Sequence, residues 1–487
     1  MRGKSRGRKS ERRAERGFEN VKAKKRTNEL DMCNGPLLGK LLRFSVPLIF
    51  SGILQLLFNS ADIIVVGQFT GSDAMAAVGS TSSLNTLIVN LFLGVSAGGS
   101  VVMARFYGAQ DWKDVEEVAH TSILLGFLSG TVLIFVGCFL AEPLLVLMGT
   151  PADVLDQAVL YMRIVFLGMP AMMVYDFGSG ILRAVGDTKR PLLFLFCGGV
   201  INVGLNLFFV VVFHMGVAGV AIGTVLSQCT SAFLTVRCLM KSDAAYRIRL
   251  RHLRIVKDKL WYILRVGVPA GVQGAVFSIS NVLIQSSVNS FGSTVVAGNT
   301  AASNIEGFVY TAMNAFYQAS LNFTSQNVGA QKVERIVPIL WRSLLCVVVV
   351  GAGLGSLAVL FGPQLLHIYS GDPEVISCGL DRIHVICLTY FLCGMMDVTC
   401  GSIRGLGPAL TPTVVSLAGA CGLRIVWIYT IFAANRSLFV LYLSYPISWL
   451  VTFSAHFVCF CLFFRRWKQR VHKTAAIDAA EQPGESA

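Results

Sequence analysis

The sequence predicts an all-α polytopic membrane protein of about twelve transmembrane helices, arranged as two parallel six-helix repeats. Three observations predict this class. First, the second half of the chain repeats the first: Gly108-Ala109-Gln110 recurs as Gly329-Ala330-Gln331, 221 positions on. At that offset Asp176, Gly180, Arg183, Gly186 and Pro191 fall on Asp397, Gly401, Arg404, Gly407 and Pro412, and one residue out of register Leu42–Pro47 meets Leu264–Pro269. Second, 54% of the 487 residues are hydrophobic, 14% are charged and the mean hydropathy is +0.64, a composition whose surface suits lipid rather than water. Third, Lys and Arg alternate from loop to loop.

That alternation sets the topology. Twelve Lys/Arg lie between residues 2 and 26, seven between 241 and 259 and five between 465 and 473, with smaller clusters at Arg105/Lys113, Lys189/Arg190 and Lys332/Arg335. The intervening loops 68–74, 141–157, 214–216, 289–294 and 362–374 contain none, and only Arg436 breaks the pattern. By the positive-inside rule both termini and the central loop are cytoplasmic in a multi-pass plasma-membrane protein. Each half then has an even number of spans, so the repeats are parallel. The same distribution argues against the nucleic-acid partner that a net charge of +14 invites.

In chain order, residues 1–36 read as a basic, disordered cytoplasmic tail. No cleavage-site pattern follows it, so it is not a secretory signal; Met32 is an alternative initiator, and attraction to anionic lipid is a second reading. Residues 37–241 form the N-lobe, with apolar runs near 40–66, 76–104, 118–141, 158–182, 190–213 and 216–240. Residues 242–258 are a basic cytoplasmic linker. Residues 259–465 form the C-lobe, with runs near 259–287, 295–324, 337–361, 377–403, 411–434 and 438–464, and 466–487 close the chain as a cytoplasmic tail. At roughly 35 residues per helix and loop, the stretch between the tails accommodates about twelve spans. Pro47 and Pro269 fall inside the first helix of each half, where proline frees a carbonyl and permits a kink; Pro47 is a candidate hinge.

Thirteen cysteines suggest a disulfide framework until their neighbours are read. Cys138, Cys197, Cys346, Cys387 and Cys459 sit in apolar helices, where a thiol packs as a small hydrophobe, and no Cys/His set has zinc spacing. Gly186-Asp187-Thr188-Lys189 lacks the glycine spacing of a Walker A loop, so ATP is not the direct driver. Paired aspartate motifs, His-Glu-x-x-His and G-x-S-x-G are absent too, and the seven histidines are scattered. An enzyme is therefore not expected, nor any cofactor.

Each acid inside a membrane helix costs about 2.5–3.5 kcal/mol on insertion and needs a reason to be there. Asp62 shares one face of the first helix with Gln55 and Asn59. At 1.5 Å per residue it lies roughly 6–8 Å from the outer end, with Asn206, Asn202 and Thr224 on the fifth and sixth helices roughly 10, 16 and 12 Å down. One carboxylate among neutral oxygens is the kind of donor set a hard cation such as Na⁺ takes, and without a cation burial favours the protonated carboxyl. The alternative is an ordinary interhelical hydrogen-bond network. The repeat places Leu283/Ile284, Leu423 and Trp427 opposite Asp62, Asn202 and Asn206, so the cluster belongs to one lobe. Glu306 and Arg424, roughly 17 and 15 Å from the outer side, are candidates for a buried pair or for the walls of a C-lobe cavity. Asp176 with Arg183, and Asp397 with Arg404, stand seven apart and read as structural pairs anchoring the inner loops, with a substrate role as the alternative, while Arg163 and Arg382 near the outer helix ends snorkel or pair locally.

Taken together the chain resembles the multidrug and toxic compound extrusion (MATE) family over roughly residues 35–465. The resemblance rests on Gly35-Pro36-Leu37, on Phe58-Asn59-Ser60-Ala61-Asp62 with Val66-Gly67, and on Phe106-Tyr107-Gly108-Ala109-Gln110. Gly180 to Thr188, the Asn202/Asn206 pair, Gly219 to Thr224 and Gln326 to Gln331 extend it. It implies two six-helix lobes around a central cavity that export cationic amphipathic compounds in exchange for Na⁺ or H⁺. In the DinF-like branch the ion site is an aspartate matching Asp62, with polar groups matching Asn202, Asn206 and Thr224. Some members carry Asp where this chain has Asn206, which leaves both ions open. The seventh-helix glutamate of NorM-type members has no counterpart in 270–280, and their tenth-helix aspartate lies about one turn from Asp397. A monomer in the lipid bilayer, with small cationic or amphipathic molecules as partners, is the expected state. A lipid-linked oligosaccharide flippase of the same superfamily would favour extra spans or a strongly basic cavity, and a polytopic membrane enzyme would need clustered acids or metal ligands at one face.

Overall fold

The computed structural model describes residues 29–480, which contain no strand. The first half holds α1 (Leu37–Phe69), α2 (Ser72–Ala109), α3 (Trp112–Leu147), α4 (Ala152–Leu167), α5 (Met169–Ala184), α6 (Lys189–Leu207) and α7 (Gly216–Lys241). The second holds α8 (Lys257–Asn289), α9 (Ser293–Gly329), α10 (Val333–Leu360), the short α11 (Gly362–His367), α12 (Pro373–Leu406), α13 (Leu410–Ser416), α14 (Leu423–Trp427) and α15 (Leu438–Ala480). The π-helical turns Phe208–Val212, Leu417–Gly422 and Ile428–Phe432 extend α6 and join α13 and α14, making the single spans Lys189–Val212 and Leu410–Phe432.

Ten of these units are long and apolar enough to cross a bilayer, and α4 with α5 makes an eleventh as a pair bent by 48°. The remaining expected span, near 295–324, is α9, which has 37 residues but is too polar to qualify by composition. Its Ser320, Asn322, Thr324, Ser325, Gln326 and Asn327 are buried among α1, α2, α10 and α12. Neighbouring helices therefore shield from lipid what the hydropathy pattern counts as exposed. The fourth span, expected as one helix, is broken because Gly168 and Pro170 interrupt its ladder. Its repeat counterpart α12 has Thr389 and Phe391 at those positions and runs unbroken for 34 residues.

The backbone repeats along with the sequence. Gly71 and Gly292, which open α2 and α9, have φ of 105° and 101°, and Gln110 and Gln331 just beyond those helices have φ of 59° and 55°. The Gly-Ala-Gln repeat is thus a pair of helix ends with a left-handed residue. Two lobes follow, α1–α7 and α8–α15.

The lobes meet on the side that carries residues 29–36, the 242–256 segment and the end of α15, called here the tail side. Gly94 and Gly98 on α2 face Gly271 and Gly267 on α8, each so close to the other helix that a Cβ would strike its backbone. Two small-xxx-small stripes thereby let these helices touch without side chains between them. Nearer the tail side Gly108 abuts the Gln326 carbonyl and Gly329 the Arg105 carbonyl, repeat-related contacts of α2 with α9. Ser100 Oγ donates to Asn322 Oδ1 (2.9 Å), Gln326 Nε2 to the Ala184 carbonyl (2.6 Å) and Arg105 Nη2 to the Gly405 carbonyl (3.0 Å).

Three segments read as tails or linker are more ordered than their composition suggests. Residues 1–28 lie outside the described residues, but Met32 is fully buried, and its carbonyl and those of Cys33 and Gly35 accept from Asn327, Lys332 and Arg335. Residues 29–36 are thus not a disordered tail: Met32, Cys33 and Gly35 hold to the C-lobe, while the Glu29 carboxylate accepts from Tyr107 (3.0 Å) and Tyr246 (2.7 Å) and Leu30 abuts Gly186 on the N-lobe side. In the linker Tyr246 and Ile248 are buried in the N-lobe core, and the Arg249 amide donates to His120 Nε2 (3.1 Å). Helix α15 continues past residue 465 to Ala480, with Trp467 packed on the C-lobe core. All thirteen cysteines are free thiols.

Candidate cation site

Helices α1, α6 and α7 bring the four predicted oxygen-bearing residues together. Asn202 and Asn206 are one turn apart on α6 and face α1 and α7. The approach is close because Gly199 of α6 receives the Phe58 ring of α1, and Gly223 of α7 lies against the Asn206 amide; a Cβ at either would collide. Asn206 Nδ2 donates to Asp62 Oδ1 at 2.5 Å and lies 3.4 Å from Asn202 Oδ1. Thr224 Oγ1 is 3.4 Å from Asp62 Oδ2 and 3.0 Å from the Val220 carbonyl, while Asn202 Nδ2 donates to Thr224 Oγ1 (3.3 Å). Asp62 is 9% exposed, Asn202 4% and Asn206 fully buried. Val65, Val66, Val210, Val217 and Val220 form an apolar cluster beside the site, with Tyr161 packed against it.

This environment leaves the carboxylate under-satisfied. The Thr224 hydroxyl has one proton and a shorter path to the Val220 carbonyl, so the only short hydrogen bond Asp62 receives is from a neutral amide. Asp62 makes no ion pair among the described residues. A buried carboxylate is stable when charged only with a counter-cation or several donors, and otherwise it takes up a proton. Asn206 Oδ1 is itself buried without a hydrogen-bond partner, a spare acceptor beside the anion. One carboxylate, two amide carbonyls and a hydroxyl fit a hard monovalent cation. No group of three or more His, Cys, Asp or Glu is placed for a metal among the described residues.

The other predicted residues distribute differently. Gln55 and Asn59 are exposed on α1 and make no hydrogen bond to the cluster, so the shared face expected of them with Asp62 does not carry them into it. Helix α1 runs unbroken through the buried Pro47.

Glu306 does not pair with Arg424. Its carboxylate is held by Arg382 in a two-pronged pair, Nε to Oε1 and Nη2 to Oε2 both at 2.8 Å, with Glu306 and Arg382 both buried. Arg382 Nη1 donates to Asn299 Oδ1 (2.7 Å), and Asn299 Nδ2 to Gln285 Oε1 (2.9 Å), so one network ties α12, α9 and α8. Arg424 instead donates to Ser448 Oγ (2.9 Å) and stacks over Tyr445 and Trp449 at 4.3 and 5.6 Å. The sequence signal for Arg382 was depth. It lies nine residues into α12, which begins at Pro373 rather than near 377, and four residues displace a side chain by about 6 Å along a helix.

The seven-residue pairs are not ion pairs either. Arg404 donates to Tyr317 Oη (2.8 Å), Gln273 Oε1 (2.7 Å) and Thr413 Oγ1 (3.3 Å) rather than to Asp397, and Asp176 Oδ2 and Arg183 Nε are buried without hydrogen bonds. Arg163 pairs locally with Glu142 at 3.6 Å, as expected of an exposed helix end.

Two homologous helical lobes, many apolar spans and a buried carboxylate set among the neutral oxygens of Asn202, Asn206 and Thr224 define an all-α polytopic membrane protein of the transporter class. The chain belongs to the MatE family of membrane transporters: the family model, described as MatE, matches residues 47–208 and 269–430, two segments of equal length, one in each lobe. It is similar to the probable multidrug resistance proteins YoeA and YpnP of Bacillus subtilis (strain 168), each at 28% identity, over 78% and 81% of this chain and 84% and 88% of theirs. Its fold is similar to a solved structure described as the outward-facing conformation of a multidrug resistance MATE family transporter of the MOP superfamily. That likeness has a TM-score of 0.84 at 23% identity and covers 92% of this chain and 100% of the other.

Proposed function

We propose that this protein is a secondary active antiporter that exports cationic amphipathic drugs or toxic metabolites across the cell membrane in exchange for Na⁺ or H⁺. The observation that carries the reading is Asp62, a buried carboxylate with one short neutral donor and an unpartnered amide carbonyl beside it. Such a group binds a proton or a Na⁺ ion, each displacing the other. The multidrug names of the Bacillus relatives support the substrate class.

The lobes act as two bodies rocking about their glycine-lined contact. Those contacts run from the tail side, which the Lys/Arg bias assigns to the cytoplasm, to about the middle of α2 and α8, so the arrangement supports a cavity that opens outward beyond them. A cation then reaches Asp62 from outside and is released inside. One charge moving through about 100 mV supplies about 2.3 kcal/mol, a gradient of roughly fifty-fold for a neutral substrate.

Efflux from proteoliposomes, with Na⁺ and pH varied separately, tests the reading. Asp62→Asn is expected to abolish ion-coupled efflux while the protein elutes and unfolds as the parent does; full coupled activity in that variant would overturn the assignment. If Na⁺ is the driver, its half-saturating concentration rises as pH falls, because a protonated carboxyl no longer holds a cation.

A further inference from the structure

A cavity of about 620 Å³ opens at the tail side where α2 of the N-lobe meets α8, α9, α12 and α15 of the C-lobe. Four arginines line it: Arg105 from α2, Arg265 from α8, and Arg466 and Arg470 from α15. No carboxylate lines it, and none of the four forms an ion pair among the described residues. Arg105 spends one Nη on the Gly405 carbonyl, but its Nε is buried and has no partner. Arg265, Arg466 and Arg470 are exposed and Arg105 is half-buried, so four like charges border one hollow whose lining offers no counter-charge, and an anion seated there is attracted by all four.

The lining also has a polarity. Val101 lies one turn deeper along α2 than Arg105, and Phe463 lies about one turn deeper along α15 than Arg466. Tyr262 and Trp467 stand among the arginines, at the depth where amphipathic rings favour a membrane–water boundary. Guanidinium forks at the mouth and aliphatic and aromatic side chains beneath match a phosphodiester headgroup followed by acyl chain.

We infer that this cavity is a binding site for the phosphate headgroup of an anionic phospholipid, which bridges the two lobes on the tail side. The bound lipid contacts Arg105 of one lobe and Arg265, Arg466 and Arg470 of the other, and so favours the arrangement in which the lobes touch there. It is separate from the Asp62 cluster and does not depend on which compound is exported.

The test is native mass spectrometry of the full-length protein, delipidated and then titrated with phosphatidylglycerol or phosphatidylcholine. Phosphatidylglycerol is expected to bind about tenfold more tightly, and Arg466→Gln/Arg470→Gln to remove that preference. Arg247→Gln/Arg251→Gln, exposed tail-side arginines outside the cavity, makes the same change in net charge and is expected to keep it. Equal loss in both pairs would reduce the effect to general surface attraction and overturn the site. Displacement of the lipid by millimolar inorganic phosphate would overturn the lipid as its ligand. Should the glutamine pair fail to fold, Arg466→Lys/Arg470→Lys keeps the charge and loses the fork; an unchanged preference there would count against phosphate recognition by the arginines.

Discussion

Asp62 and Glu306 are carboxylates buried in opposite lobes, and their partners give them opposite roles. Glu306 is neutralised by the Arg382 fork, whereas Asp62 receives only a neutral amide. Breaking the first is therefore a stability change. Arg382→Met is expected to destabilise the protein by about 3–5 kcal/mol by stranding Glu306, and Arg382→Met/Glu306→Met to recover most of that, measured by reversible chemical unfolding in detergent. Changing the second is an affinity change. Thr224→Val removes one oxygen beside Asp62 and is expected to weaken cation binding about tenfold, read as a higher half-saturating Na⁺ or H⁺ concentration with little change in melting temperature. The Asp62 cluster was legible in the sequence because its residues all lie on helices whose ends are marked by short polar loops. Arg382 was not, because its depth depended on a boundary set by the Asp372 cap, whose carboxylate accepts from the Glu374 amide.

At the scale of elements, local chemistry explains most departures from the regular pattern. Gly168 and Pro170 break the fourth span, and the absence of both from α12 keeps its counterpart whole. Helix α9 shows the opposite limit, for its polarity is invisible to lipid only because four helices surround it. The contact of α2 with α8 depends on glycine on both sides. Gly271→Leu drives a side chain into the Leu91 backbone and is expected to lower stability by about 1–3 kcal/mol, seen as a lower unfolding temperature, while Gly79→Leu, where a Cβ meets open space, is not.

For the whole molecule, the lobe contacts run from the tail side to about the middle of α2 and α8, and Ser100 and Asn322 hydrogen-bond across the interface. In a cysteine-free background Ser100→Cys/Asn322→Cys is expected to cross-link on oxidation and stop transport, with recovery on reduction; undiminished transport in the cross-linked protein would exclude rocking at this contact. The sequence by itself determined the repeat, the helical class, the alternation of charged loops and the residues of the Asp62 cluster. These follow from hydropathy, charge and register, which are local or periodic properties of the chain. Tertiary structure alone decided that Arg382 and not Arg424 neutralises Glu306, that residues 29–36 bridge the N-lobe and the C-lobe, and that four arginines from two lobes line one cavity. Those depend on how helices are rotated and spaced against one another, and side-chain packing sets that only when all the helices are present together.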